Sequence, residues 1–134
     1  MTTYCGVDGY FKAGALGSAA IVGELNHWSL SISMALNDVS VFANNGWGAF
    51  KCGVRNWTGV AEGFWDLDDA GQAALNTALM GGSGTQVECY FHVYSDKYYH
   101  GIAYVSAENV DVAVAAVATV GFDIQGNGAL TLVV

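Results

Sequence analysis

The sequence predicts a mainly β fold. The expected form is a sandwich or barrel-like domain with one short flanking α-helix at about 69–80 and a long apolar loop at 37–50. Three observations predict it. Apolar and small polar residues alternate with period two through several segments. Only one stretch carries helical spacing together with start and stop signals. A single short helix cannot cover both faces of a parallel sheet, which leaves a sandwich or barrel with one packed helix.

The strands come first. Trp28, Leu30, Ile32 and Met34 alternate with Ser29, Ser31 and Ser33, giving one apolar face and one of small polar groups. Trp57, Gly59, Ala61, Gly63 and Trp65 alternate with Thr58, Val60, Glu62 and Phe64. Ala118, Val120, Phe122 and Ile124 alternate with Thr119, Gly121, Asp123 and Gln125. Further strands are expected at 6–12, 19–25, 86–94, 98–105, 108–115 and 129–134. The longest apolar stretch, Val112 to Phe122, is too short to span a bilayer, and its Ala and Val content suits a strand.

In the helix, Asp69 and Gln72 have the spacing of a capping box, and Asp66 and Asp68 add negative charge near the positive helix end. Leu75 and Leu79 lie one turn apart on an apolar stripe. Gly81-Gly82 predicts a left-handed stop. The loop from Asn37 to Phe50 holds Asn44-Asn45-Gly46 and the apolar residues Val39, Val41, Phe42, Trp47 and Phe50. It is too apolar for an ordinary solvated connection, so a neighbouring subunit is its expected cover. No repeat, low-complexity tract or domain boundary appears, so residues 1–134 read as one domain.

Composition narrows the function. Of 134 residues, 53% are hydrophobic and only 12% charged, so much of the surface is uncharged and suited to burial against partners. The net charge of −8, with four basic residues, excludes a basic nucleic-acid-binding patch. An acidic surface still serves DNA that must slide past without sticking. Cys5, Cys52 and Cys89 are odd in number and far apart, which argues against a disulfide framework. The start, Met1 to Cys5, shows no basic region followed by an apolar run, so no signal peptide is expected.

The chemical motifs are weak, and no catalytic, cofactor-binding or metal-binding residue is assigned. A three-residue loop at Ser95-Asp96-Lys97 would set His92 against His100, but a metal needs a third ligand and a change of register removes the pair. Asp66 to Gly71 starts like a calcium loop, yet Thr77 stands where a bidentate Glu is needed. Gly81 to Thr85 fails the last position of a nucleophile elbow and follows a helix. Asn56-Trp57-Thr58 matches a glycosylation sequon by residue type only.

The order of several segments is nevertheless specific. Trp28 to Ser33 is followed by Gly53-Val54-Arg55-Asn56-Trp57-Thr58-Gly59-Val60-Ala61-Glu62-Gly63-Phe64-Trp65-Asp66. Then come Ala70 to Leu75, Gly101 to Val105, and Phe122-Asp123-Ile124-Gln125-Gly126-Asn127-Gly128-Ala129-Leu130. From about 20 to 132 this resembles the major tail tube proteins of tailed phages. The resemblance implies a non-enzymatic virion tail subunit, made and assembled in the host bacterial cytoplasm. It implies hexameric rings stacked into a tube that conducts DNA without binding it specifically. Tape-measure and tail-terminator or tip proteins are the implied partners, with no cofactor and no membrane span. The Tyr- and His-rich hairpin at 90–100 departs from the family pattern.

On this reading Ser29, Ser31, Ser33, Thr58, Glu62, Asn109, Asp111, Thr119, Asp123 and Gln125 face the lumen, a wall that hydrates well and repels phosphate. Two alternatives stand beside it. One is a related tube of a phage-derived bacteriocin or secretion apparatus. The other is a monomeric carbohydrate-binding sandwich stacking sugars on Tyr90, Tyr94, Tyr98, Tyr99 and Trp47.

Overall fold

A computed structural model describes residues 3–81 and 84–134. Seven strands form one sheet, β1 Tyr10–Gly14, β2 Ala20–Ile21, β3 Leu25–Asp38, β4 Phe50–Phe64, β5 Val87–Tyr94, β6 Lys97–Asp111 and β7 Thr119–Val133. Their order is β2-β1-β5-β6-β7-β4-β3, and every pairing is antiparallel. One helix, α1 Ala70–Met80, joins β4 to β5.

The sheet folds over on itself, as the sequence pattern predicts for a sandwich-like form. Register shifts interrupt the β6–β7 ladder between Gly101 and Ala103 and between Val105 and Ala107. Such bulges let a strand turn a corner and serve two layers. The first half of β6 pairs with β5 in a short layer with β1 and β2, and the second half runs beside β7, β4 and β3 in a long layer. Phe91 of β5 closes the gap between them, its ring meeting Trp28 and Trp57 at centroid distances of 5.4 and 6.0 Å.

Trp57 fits the corner because two partners lack side chains. A Cβ at Gly101 would meet its indole at 2.7 Å, and one at Gly126 would collide with it outright. Trp57 is 3% exposed, and its Nε1–H donates to the Gly128 carbonyl at 3.2 Å. Around it Phe11, Ala13, Val87, Cys89, Ala61, Ala103, Val120, Phe122 and Ile124 form the core. Each large apolar side chain buried there contributes about 1.5–3 kcal/mol.

Helix α1 starts as its spacing predicts. The Asp69 carboxylate accepts from the Gln72 N–H at 3.0 Å and from the Gly23 N–H at 3.1 Å. Gln72 is fully buried and does not reach back to the cap. It accepts from the Asp66 N–H and donates to the Gly23 and Phe64 carbonyls, tying α1 to β4 and to the turn before β3. Leu75 is buried and Leu79 half-buried, as the stripe requires. At the other end Gly81 is right-handed, with its N–H bonded to the Thr77 carbonyl, so the predicted left-handed stop is not at Gly81. Gly82, the rest of that signal, lies outside the described residues, as do Met1, Thr2 and Ser83.

Several strand boundaries differ from expectation. The segment 6–12 opens with a 3-10 turn at Gly6–Asp8, and 19–25 keeps only the two residues of β2 and the first of β3. The expected strands 98–105 and 108–115 fuse into β6, because a bulge carries pairing across Ser106. Residues 118–125 and 129–134 fuse into β7 in the same way. The Val112–Phe122 stretch is not one strand, since 112–118 turn the chain and leave Val112, Val114 and Val117 exposed.

Removing the Gln72 amide tests the helix anchor. Gln72→Leu leaves two part-buried carbonyls and one N–H without their side-chain partner, so it should cost about 2–4 kcal/mol by denaturant unfolding. Asn76→Leu, on the half-buried side of the same helix, should cost well under half as much. Equal losses would show that the Gln72 bonds do not anchor α1.

Candidate assembly surfaces

Directly paired residues in a sheet point to the same side. The register therefore decides which faces the ten polar residues take. Ser31 pairs with Thr58 and Thr58 with Gln125, while Ser29 pairs with Val60 and Val60 with Asp123. Glu62 and Asn109 both pair with Gly121, and Asp111 pairs with Thr119. Ser33 follows two residues after Ser31. All ten thus lie on one side of β3, β4, β7 and β6, opposite Trp57, Ala61, Phe122 and Ile124. Nine are exposed and Asp123 is half-buried. Asn26, Glu62, Asn109, Asp111, Thr119 and Asp123 line a shallow groove on this side. His27, Asn56, Val60, Phe64 and Tyr104 share the face by their pairings and are not among the ten, although the alternation along 57–65 already sets Val60 and Phe64 with Thr58 and Glu62.

Two edges flank this face. Among the described strands β3 pairs with β4 alone. β5 reaches only to Val87 opposite Ala103, so residues 104–111 of β6 have β7 on one side and no described strand on the other. At the far edge of the sheet β2 is two residues long, a blunted end.

The apolar loop is the tip of a long hairpin. β3 and β4 stay paired to Asp38 and Phe50, so the connection itself is 39–49. Its shape is set locally. The Asp38 carboxylate accepts from the Ser40 N–H, and the Ser40 hydroxyl accepts from the Ala49 N–H at 2.8 Å. Asn45 and Gly46 both have positive φ. The tip does not fold back on the body: Phe42 and Trp47 are 104% and 80% exposed, and Val39, Val41 and Phe50 are exposed as well. The stem carries Ile32, Met34 and Leu36, also exposed.

The outer side of the short layer is polar and aromatic. The turn after β5 brings Tyr94 opposite Lys97, so His92 faces Tyr98 and His100 faces Tyr90, and the His92–His100 pair that a three-residue loop would give does not form. His92 stacks between Tyr10 and Tyr98 at 4.1 and 4.4 Å. Tyr90 donates to Glu88 at 2.5 Å. That bond, helped by the Gly17 N–H, holds the Glu88 carboxyl below its usual range and pushes Tyr90 up to about 12. The rings stack on one another instead of presenting open faces, and Trp47 lies at the hairpin tip, so the sugar-stacking set is not brought together.

The remaining motifs have local roles. Asp66 accepts from the Asp68 N–H, and Asp69 caps the helix. Cys89 is core, its thiol pushed up to about 12 by burial, whereas Cys5 and Cys52 are exposed.

Comparison with solved structures gives close folds, three tail structures among them. One is the tail of an empty gene transfer agent particle, refined helically with C6 symmetry, at TM-score 0.83 and 18% identity. The alignment covers 98% of this chain and 100% of that one. The second is the virion of the native gene transfer agent particle, at 0.83 and 17% over the same shares. The third is the SPP1 tail tube, at 0.74 and 17%, covering 98% of this chain and 79% of that one. The chain shares its fold with these tail structures. No protein-family profile and no curated protein sequence matches it.

Burial holds the His92 imidazole below its ordinary range. The unfolded chain then takes up a proton near pH 6.5 before the folded one does, so stability is full above that value and falls as pH drops. Between pH 7 and 5, the melting temperature of the wild type should fall further than that of His92→Phe, which keeps the stack. Parallel falls would show that His92 contributes nothing to the acid response.

Proposed function

We propose that this protein is the structural subunit of a phage-type tail tube, without catalytic activity. Copies form hexameric rings that stack into a hollow tube in the virion tail, through which DNA passes. One observation carries this reading: a polar, mostly exposed sheet face lies between two unpaired strand edges. Each edge is a row of backbone donors and acceptors without partners. β3 runs antiparallel to β4, β4 to β7 and β7 to β6, so rotation about a tube axis places β3 antiparallel to the β6 of the next copy. Joining 104–111 to that β3 closes a barrel of four strands per copy and removes both edges. The C6-symmetric tail that shares the fold supports six copies.

The polar face then lines the lumen. Glu62, Asp111 and Asp123 give it negative charge that repels phosphate at the distances where DNA passes. Assembly in the host bacterial cytoplasm, on a tape-measure protein and closed by terminator or tip proteins, belongs to the same reading. The exposed thiols of Cys5 and Cys52 suit a reducing compartment.

Negative-stain microscopy of the purified chain tests the proposal directly. Rings or tubes are expected, and a small monodisperse particle at every concentration would reject it. Changing Glu62, Asp111 and Asp123 together to Lys should leave tubes intact but slow DNA ejection from particles, since Lys holds phosphate. Unchanged ejection would remove these residues from the channel wall. Replacing residues 42–48 with a short Gly-Ser linker should leave monomer melting near wild type, because the tip touches nothing in its own body, yet abolish tubes. Normal assembly of that variant would show that the tip is no intersubunit clamp.

A further inference from the structure

Residues 112–118, Val112-Ala113-Val114-Ala115-Ala116-Val117-Ala118, turn the chain from β6 to β7 without one polar side chain. Val112, Val114 and Val117 are 73%, 110% and 67% exposed. Backbone bonds hold the turn in shape. The Ala116 N–H donates to the Ala113 carbonyl at 3.2 Å, and the Trp65 N–H donates to the Ala118 carbonyl at 3.0 Å. An apolar turn held open to water is a surface that lacks its cover.

A groove of about 600 Å³ opens between residues 4–9, β1, the start of β3 and the end of β5. Tyr4, Phe11, Val22, Leu25 and Trp28 belong to its walls, and none of the described residues that line it is an acid, a lysine or an arginine. Leu25 and Trp28 are only half-buried there. Trp28 pairs with Ala61 of the core, so the groove lies on the side of β3 away from the polar face.

The start of β3 is thus both a wall of the groove and the beginning of an open strand edge. Leu25 pairs with Gly63, and Phe64 and Asp111 both pair with Thr119. The start of β3 and the end of β6 therefore lie at the same end of the long layer. Rotation about a tube axis keeps those ends level from copy to copy. Where 104–111 of one copy joins β3 of the next, residue 112 emerges beside the start of that β3, within the stagger that strand tilt introduces.

We propose that the turn 112–118 of one copy seats Val114 and Val117 in this groove of its neighbour in the same ring, behind the seam between β6 and β3. The inference rests on the tube reading above. Backbone pairing alone leaves that seam loosely defined. Its hydrogen bonds replace bonds to water for a modest net gain, and a slip of two residues keeps every side chain on its face. A turn that fits one groove fixes the register, and with it the angle between copies. Apolar burial adds attraction that needs no alignment. Because neither surface holds a charge, covering one with the other strands none.

Cys5, an exposed residue of the groove lining, provides the test. In a Cys52→Ser background, Val114→Cys places a thiol on the turn, and Cys89 stays buried in the core. Assembled tubes are treated with a short bismaleimide and run on a denaturing gel. A ladder that stops at six copies, abolished by Cys5→Ser, is the expected result. A ladder extending past six would carry the turn to a copy in another ring and overturn the proposal. So would intact tubes that form no cross-link. If the wild-type chain forms neither rings nor tubes, the tube reading itself fails, a distinct outcome. As a second measurement, Val114→Asp should raise the concentration needed for ring formation at least about tenfold, since it buries an unpaired charge at the seam. Monomer melting should stay at the wild-type value, and Val114→Leu should assemble normally. Unchanged assembly of Val114→Asp would also overturn the proposal.

Discussion

A β-strand at the border of a sheet leaves half of its backbone N–H and C=O groups without a protein partner, and that constraint organises this molecule. Three devices meet it within the chain or nearly so. β2 is short enough to offer almost no template, β5 covers the first half of β6, and α1 packs over the short layer. Two stretches remain open, the outer side of β3 and the second half of β6, and both border the same polar face. A protein that hides one edge and leaves two long ones is built to pair them with something. Their antiparallel relation under rotation makes a second copy of the chain the natural partner.

The same alternation that shapes the edges divides the two faces. Along β4, residues 57, 59, 61 and 63 turn inward and 58, 60, 62 and 64 turn outward. The inward set is Trp-Gly-Ala-Gly, an unusual mixture of one very large side chain and three small ones. The reason is the fold-over: Phe91 approaches so closely that Gly59 has no room for a Cβ, and Trp57 needs bare backbone at Gly101 and Gly126. Large and small residues interdigitate, which is how a thin two-layer core reaches close packing. Because the core is thin, many apolar side chains are left outside it, above all on the hairpin.

Those exposed residues carry the polarity of the molecule along its long axis. One end presents Phe42 and Trp47 on a stem with more basic than acidic charge, and the other presents a groove lined by Tyr4, Tyr10, Leu25 and Trp28. The outer side of the short layer contrasts with both. Its rings stack on each other and its carboxylate is already bonded, so its polar groups are largely satisfied within the chain. Surfaces that are finished and surfaces that await a partner are thus kept on different sides.

What the sequence determined by itself rests on near neighbours in the chain. The start of α1 at Asp69 was legible because a cap needs only residues three apart. The ten polar residues were separable from the core because side chains alternate strictly along a strand, and they fall on one side in the structure. Tertiary structure decided what depends on residues far apart. Whether His92 meets His100 or Tyr98 turned on the pairing after a tight turn, and a local pattern does not carry register. Residues 98–111 form one strand because a bulge at Ser106 keeps pairing with β7, a partner that follows only after the turn at 112–118. Val112, Val114 and Val117 look like strand residues by type, but only the fold shows that they turn the chain in solvent. Free edges are the extreme case, since an edge is defined by the strand that does not come, and no residue announces an absent partner.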